Sequence, residues 1–161
     1  MRYTWVEMVV KQLTKIPLEL VESPSFLLKR LGNAAKEDSA AAFEDVGGSA
    51  FDYAVLAVLA EGVRGTQATI ADALGKDPSY LVGVLDELEE RGLVERRRDP
   101  ADRRRHLVTM TPAGEQELER LRAVQAGIDD ELFSALSAYE LKTFRTLLAK
   151  VAADRDPRCS P

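Results

Sequence analysis

The sequence holds one cysteine, one histidine and one tryptophan in 161 residues. The cysteine is Cys159, close to the C-terminal end. No disulfide can close within the chain, and no thiolate cluster can hold a metal. A lone cysteine in a proline-flanked tail reads as incidental. His106 has no neighbouring histidine or cysteine, which leaves little for a metal site or a nucleophile–base pair. No glycine-rich phosphate loop is present, and the carboxylates are scattered over helix-patterned segments. The sequence therefore reads as a non-enzyme with no cofactor and no metal. Long apolar runs are also missing. The longest, Ala54 to Ala60, has seven residues, whereas a bilayer span needs about 20, so no membrane partner is expected. Near the start, Arg2, Glu7 and Lys11 interrupt the apolar residues and break the core of a secretory signal. The expectation is a cytoplasmic chain. With 45% hydrophobic residues, wholesale disorder is excluded.

Basic residues are in deficit too. Lys and Arg number 22 against 27 Asp and Glu, a formal net charge of -5. The average argues against a polyanionic partner, but the distribution does not. The ten residues Arg96 to Arg105 hold six arginines and two aspartates, a local charge of +4.

Periodicity gives a run of helices broken by one β-hairpin. Trp5, Val6, Val9, Val10, Leu13 and Ile16 predict a short amphipathic helix over residues 4 to 16, ended by Pro17. Trp5 reads as an interface or core-contact aromatic. Ser23 and Pro24 form an N-cap and first-turn proline. The stripe that follows runs through Phe26, Leu27, Leu28, Leu31, Phe43 and Val46 to Gly47 and Gly48. Ser49 with Asp52 predicts the next helix start, and Thr69 with Asp72 another, closed by Gly75. Asp77 and Pro78 open a longer helix whose Leu81, Val84, Leu85 and Leu88 lie on one face, with Gly92 at its stop. Residues 70 to 91 thus read as a helix-turn-helix. Strands are predicted at Val94 to Arg98 and His106 to Met110, joined by a projecting Asp99-Pro100-Ala101-Asp102 tip. Thr111 and Pro112 start a long helix marked by Leu118, Leu121, Val124, Ile128, Leu132 and Leu136. Ser137 and Glu140 form a capping box for the last helix.

A helix-turn-helix followed by a basic hairpin suits DNA. The early face of the helix from Pro78 carries Ser79, Tyr80 and Gly83: hydroxyls for phosphates or base edges, and a glycine that permits close approach. Lys76, just before it, can pair a phosphate. Arg97, Arg98, Arg103, Arg104 and Arg105 concentrate charge on a thin element that can enter a minor groove. Asp99 and Asp102 can orient the arginine forks. The later turns carry Asp86, Glu87, Glu89 and Glu90, which phosphate would repel. A core helix with a solvated acidic face, a salt-bridged hairpin, and a winged helix that binds protein rather than DNA all remain open at this point.

The stretch LEERGLVERRRDPADRRRHLVTMTPAGEQEL closely resembles the wing region of the MarR family of bacterial transcription regulators. The family's Asp-x-Arg wing signature falls on Asp102, Arg103 and Arg104, and its strand-to-helix ending on Met110-Thr111-Pro112-Ala113-Gly114. The resemblance implies a mainly α fold with a small β-hairpin wing, a winged helix-turn-helix over 49–111. It implies dimerisation helices at 23–48 and 112–155, and the sequence adds an extra N-terminal helix at 1–22 and a flexible tail at 156–161. It further implies a cytoplasmic homodimeric repressor on a pseudo-palindromic DNA operator, released by a small aromatic or anionic effector. Arg104 would enter the minor groove and Asp102 would orient the wing. Phe51 and Tyr53 lie near the expected effector position. The glycine-rich VGGSAFDY before the helix-turn-helix and the residues before Ser23 depart from the family pattern. No cysteine lies in the N-terminal helices, where a peroxide-sensing subgroup carries its thiol.

Overall fold

A computed structural model of the chain describes residues 15–62, 65–100 and 105–160. Its helices begin where side chains cap them. Ser23 precedes α2 (Pro24–Asp45), and its hydroxyl accepts from the Phe26 amide at 3.5 Å. Short α1 (Leu18–Val21) lies before it, while Lys15 to Pro17 form no regular element. The rest of the helix expected over 4 to 16, Trp5 included, lies outside the described residues. Ser49 caps α3 (Ala50–Ala60): it accepts from the Asp52 amide at 2.9 Å and donates back to the Asp52 carboxylate at 2.8 Å.

The next helix starts earlier than its sequence signal. α4 spans Gln67–Ala73 and its N-cap is Thr66, not Thr69. Thr66 and Thr69 form a capping box with each other, each side chain accepting the other's amide, at 2.9 and 3.1 Å. Threonine here takes the place that glutamate usually fills. Asp77 caps α5 (Pro78–Glu90), with proline at the first turn as expected. Thr111 caps α6 (Pro112–Leu132), which stops four residues short of Leu136. A full Ser137–Glu140 capping box opens α7 (Ala138–Arg155). Where sequence suggests a loose tail, Asp156 caps a 3-10 turn, Pro157–Cys159.

Strands β1 (Val94–Arg98) and β2 (His106–Met110) pair antiparallel in the register Val94↔Met110 to Arg98↔His106. A single bridge, Thr66↔Leu107, adds the residue before α4 to the outer edge of β2. The Val108 amide donates to the Gly65 carbonyl at 2.6 Å. Gly65 permits this approach, since a Cβ there would lie 2.6 Å from the Val108 oxygen.

The chain divides into two compact units, Met1–Lys36 and Glu37–Pro161, with the boundary inside α2. In the first, Leu18, Leu27, Leu28 and Leu31 are exposed. The second holds the core: Phe43 from α2, Val55 and Leu56 from α3, Ile70 from α4, Leu81, Leu85 and Leu88 from α5, Val94 and Val108 from the hairpin, and Leu118 and Leu121 from α6. Each large side chain so buried contributes about 1.5–3 kcal/mol. The fold is mainly α with a small hairpin, a winged helix-turn-helix, as the sequence implies. No described helix is long and apolar enough to cross a membrane.

Candidate nucleic-acid interface

Helix α5 is anchored by Leu81, Leu85 and Leu88, spaced by four and three residues, so its other side faces outward. Ser79, Tyr80 and Gly83 lie on that exposed side, and Lys76 is exposed in the turn before it. The start of α5 is braced from α4, where the Gln67 side-chain amide donates to the Pro78 carbonyl at 2.7 Å. The Asp77 carboxylate accepts from the Ser79 amide at 2.8 Å and from the Ser79 hydroxyl at 2.5 Å. These bonds hold the Asp77 carboxyl below the usual carboxylate range. With its proton directed to Asp77, the Ser79 oxygen turns its lone pairs outward.

Tyr80 is 58% exposed. Its ring and that of Phe51 from α3 form a T-shaped pair, with centroids 5.1 Å apart and planes at 79°. Tyr53 faces the opposite way and stacks on Phe43, centroids 5.9 Å apart. The two aromatics read from sequence as effector contacts are both half-buried and packed against the core. Phe51 also touches α5 through Tyr80, and Tyr53 touches α2 through Phe43. At Gly83 an added Cβ would meet nothing within 4 Å, so nothing among the described residues requires a glycine there.

The arginines of β1 separate by face. Arg96 turns toward α5, where its guanidinium pairs with Asp86 and Glu89 and its amide donates to Glu89 at 3.0 Å. Two of the acidic groups that argued against DNA, Asp86 and Glu89, are therefore drawn to one hairpin arginine, which offsets one of their two charges. Arg97 points the other way, with a 73% exposed side chain that reaches Glu95 at 2.8 Å. Arg98 is exposed at the end of the strand, opposite His106. Beyond that pair the Asp99 amide donates to the Arg105 carbonyl at 3.0 Å and continues the hairpin by one step. Asp99 is buried and Arg105 exposed, and neither residue is without a partner. Asp102, Arg103 and Arg104 lie outside the described residues.

Two supports of this surface carried no clear signal in sequence. Arg91, at the C-cap of α5, donates to Asp52 at 2.7 Å and to Glu117 at 3.0 Å. It thereby ties α3, α5 and α6 together. Asp52 is only 6% exposed. Glu117 also accepts two bonds from Arg120, each 2.8 Å. The Arg120 bonds, with Arg91 beside them, hold the Glu117 carboxyl below its usual range. Second, the Thr111 hydroxyl donates to the Gly92 carbonyl at 2.7 Å and its amide to the Leu93 carbonyl at 3.0 Å. These bonds fix the hairpin exit against the end of α5.

An open cavity of about 440 Å³ lies between α4, α5 and the hairpin, lined by Thr66, Gln67, Thr69, Arg96, Arg105 and His106 among others. His106 is exposed on its rim. Among the described residues no group of three or more His, Cys, Asp or Glu is placed to hold a metal.

Known proteins are similar to this chain in sequence and fold. A sequence model of the MarR family matches residues 45–105. A regulatory protein assigned to the hcr operon of Thauera aromatica is 36% identical over 99 residues, 62% of this chain and 60% of that protein. The matched segment thus spans under two-thirds of that relative's length. The transcriptional regulator HosA of Escherichia coli O111:H- is 33% identical over 99 residues, which cover 73% of it. Among solved structures, the transcriptional repressor CouR bound to a 23-mer DNA duplex superposes with a TM-score of 0.75 at 31% identity, covering 86% of this chain and 99% of that one. CouR from Rhodococcus jostii RHA1 bound to p-coumaroyl-CoA gives 0.69 at 32% identity, covering 84% and 96%.

Proposed function

This chain belongs to the MarR family, whose members named above are transcriptional regulators, and from that premise we propose how it acts. It is a homodimeric, sequence-specific DNA-binding repressor. The N-terminal turns of α5 enter the major groove, with Ser79, Tyr80 and Gly83 toward base edges and Lys76 on a phosphate. The hairpin lies along the adjacent minor groove, with Arg97, Arg98 and Arg105 near the backbone and Arg104 inserted. A twofold dimer would set two such helices about 34 Å apart and read a pseudo-palindrome. The observation that carries this reading is the division of labour on one surface. Leucines hold α5 from behind, and Arg96 draws Asp86 and Glu89 of its late turns to the hairpin. That leaves the hydroxyl- and glycine-bearing early turns beside outward arginines.

The protein-association reading rests on those acidic turns and on the net charge of -5, and the Arg96 pairing engages two of the four carboxylates of the late turns. Release by a small aromatic or anionic effector rests on a mechanical link. Phe51 touches Tyr80, so a ligand that displaces Phe51 also moves the recognition helix. A differential affinity of roughly 1–3 kcal/mol between the two states would change operator binding about 5–150-fold.

Selection of bound sites from a random duplex pool, with Arg104→Ala in parallel, tests the DNA reading. A pseudo-palindrome with A·T-rich flanks is expected, bound about 1–3 kcal/mol less tightly by the variant. No enrichment at low salt would overturn it. Titration of the selected duplex with aromatic carboxylates and acyl thioesters then tests release.

A further inference from the structure

After α7 ends at Arg155, the chain turns back through Asp156-Pro157-Arg158. Proline at the first position and the Asp156 cap make this a 3-10 turn. Asp156 grips Arg158 from one side. One carboxylate oxygen accepts from the Arg158 amide at 3.1 Å and from Nε at 2.7 Å, and the other accepts from Nη2 at 2.7 Å. The fork is thus held with Nη1 free to reach out. Nη1 donates to the Asp72 carbonyl, 2.8 Å away and 86 residues earlier in the chain.

Asp72 lies in the last turn of α4, and its carbonyl also accepts the Gly75 amide at 3.0 Å. A cation suits this place, because helix carbonyls leave partial negative charge at a C-terminus. Gly75 has φ +61°, and a Cβ there would lie 3.2 Å from both Nη1 and Nη2. The guanidinium therefore covers the turn of the helix-turn-helix. Lys76, the Asp77 cap and the exposed face of α5 follow at once.

We propose that Arg158 is a positioning residue for DNA binding: it straps the C-terminal end of α7 to the α4–α5 turn and so sets where the recognition helix begins. The inference rests on the DNA-binding reading above. The strap adds little to global stability, because Arg158 is 44% exposed and exposed pairs of this kind contribute little. Its effect is on placement. Under the dimer reading α7 lies between the two copies, so the strap also joins the dimer contact to the reading head. A rearrangement of α7 would reach Asp72 through Arg158, and by linkage DNA would act back on α7.

Amide hydrogen exchange on the free protein tests the strap without DNA. Arg158→Gln should speed exchange at Gly75 and Lys76 and leave Leu85 in the core of α5 unchanged. Arg158→Lys, whose ammonium reaches Asp72 but cannot fill both Asp156 oxygens, should fall between. On the selected duplex Arg158→Gln should bind about two- to tenfold more weakly, what one exposed hydrogen bond supplies, with the salt slope of the parent. Unchanged exchange at Gly75 and Lys76 would overturn the strap. A salt slope smaller by about one would make Arg158 a phosphate contact instead. If the parent binds no duplex at all, the DNA reading fails while the exchange result still decides whether the strap exists.

Discussion

Gly83 is a glycine that nothing among the described residues requires. It sits mid-helix on the exposed face of α5, where a Cβ would meet open space. A glycine in such a place costs about 0.5–1 kcal/mol relative to alanine. Gly83→Ala should therefore raise stability by about that amount in urea denaturation while weakening duplex binding, because the methyl stands between helix and groove. A variant both more stable and equally tight would remove Gly83 from the interface. Arg91 is the reverse case, a residue the fold needs and the sequence hides. Nothing local marks it, since its partners Asp52 and Glu117 are 39 and 26 residues away. Arg96 misleads in the same way. Six arginines in ten residues look alike on the page, and strand alternation says that they divide but not which side faces α5. The side is settled by Asp86 and Glu89 on the neighbouring helix.

The linked Asp52–Arg91–Glu117–Arg120 chain also makes a pH prediction. Glu117 is held below its ordinary value of 4.5 mainly by Arg120, so the folded state binds its proton less readily than the unfolded chain. Stability from this group is full above 4.5 and is lost as pH falls through the lower folded value. Glu117→Gln should cost about 1 kcal/mol at neutral pH, and the gap to the parent should close as the solution is acidified past 4.5. A gap that stays constant with pH would assign the loss to shape rather than charge.

At the scale of elements, the starts of α5, α6 and α7 were legible because each obeys a local rule: Asp-Pro, Thr-Pro and Ser-x-x-Glu. The start of α4 was not, because Thr66 finds its reciprocal partner in a second threonine. Asp72, three residues past Thr69, imitated the usual pattern. The bridge from Thr66 to Leu107 was hidden for another reason. It joins segments some 40 residues apart, and one residue has no period. The joint between hairpin and α6 is where an element depends on a single glycine. At Gly114 a Cβ would stand 2.1 Å from the Leu93 carbonyl oxygen and 2.7 Å from Met110 Cγ. Backbone on one side cannot yield, so α6 would have to shift off the hairpin exit. Gly114→Ala should cost about 1–3 kcal/mol, with duplex affinity falling alongside because the wing hangs from the same joint. Thermal melts that leave the variant level with the parent would contradict this close approach.

At the scale of the molecule, the unsatisfied surfaces are the informative ones. Helix α7 buries no residue, and Tyr139, Leu147 and Val151 stand exposed on it. Leu147 and Val151 are four apart and so share a face. Helix α6 instead commits Leu118, Leu121 and Ile128 to the core, which shows what a helix of this chain does when its stripe has a partner. Apolar residues at helical spacing that stand exposed among the described residues suit an interface between chains, as the proposed dimer requires. Reading sequence alone, the two stripes look equivalent. Only the fold distinguishes the one that is used from the one left over. If a second copy covers α7, folding and association are one process. The melting temperature should then rise with protein concentration, and sedimentation should give twice the chain mass. Leu147→Glu should shift the sedimenting species to the monomer, since a buried carboxylate facing its own symmetry mate has no partner. Duplex binding should fall in the same variant, because a lone subunit reads only half of a palindrome. A Leu147→Glu protein that still sediments as a dimer would place the twofold contact away from α7, and with it the route by which Arg158 is proposed to couple the two reading heads.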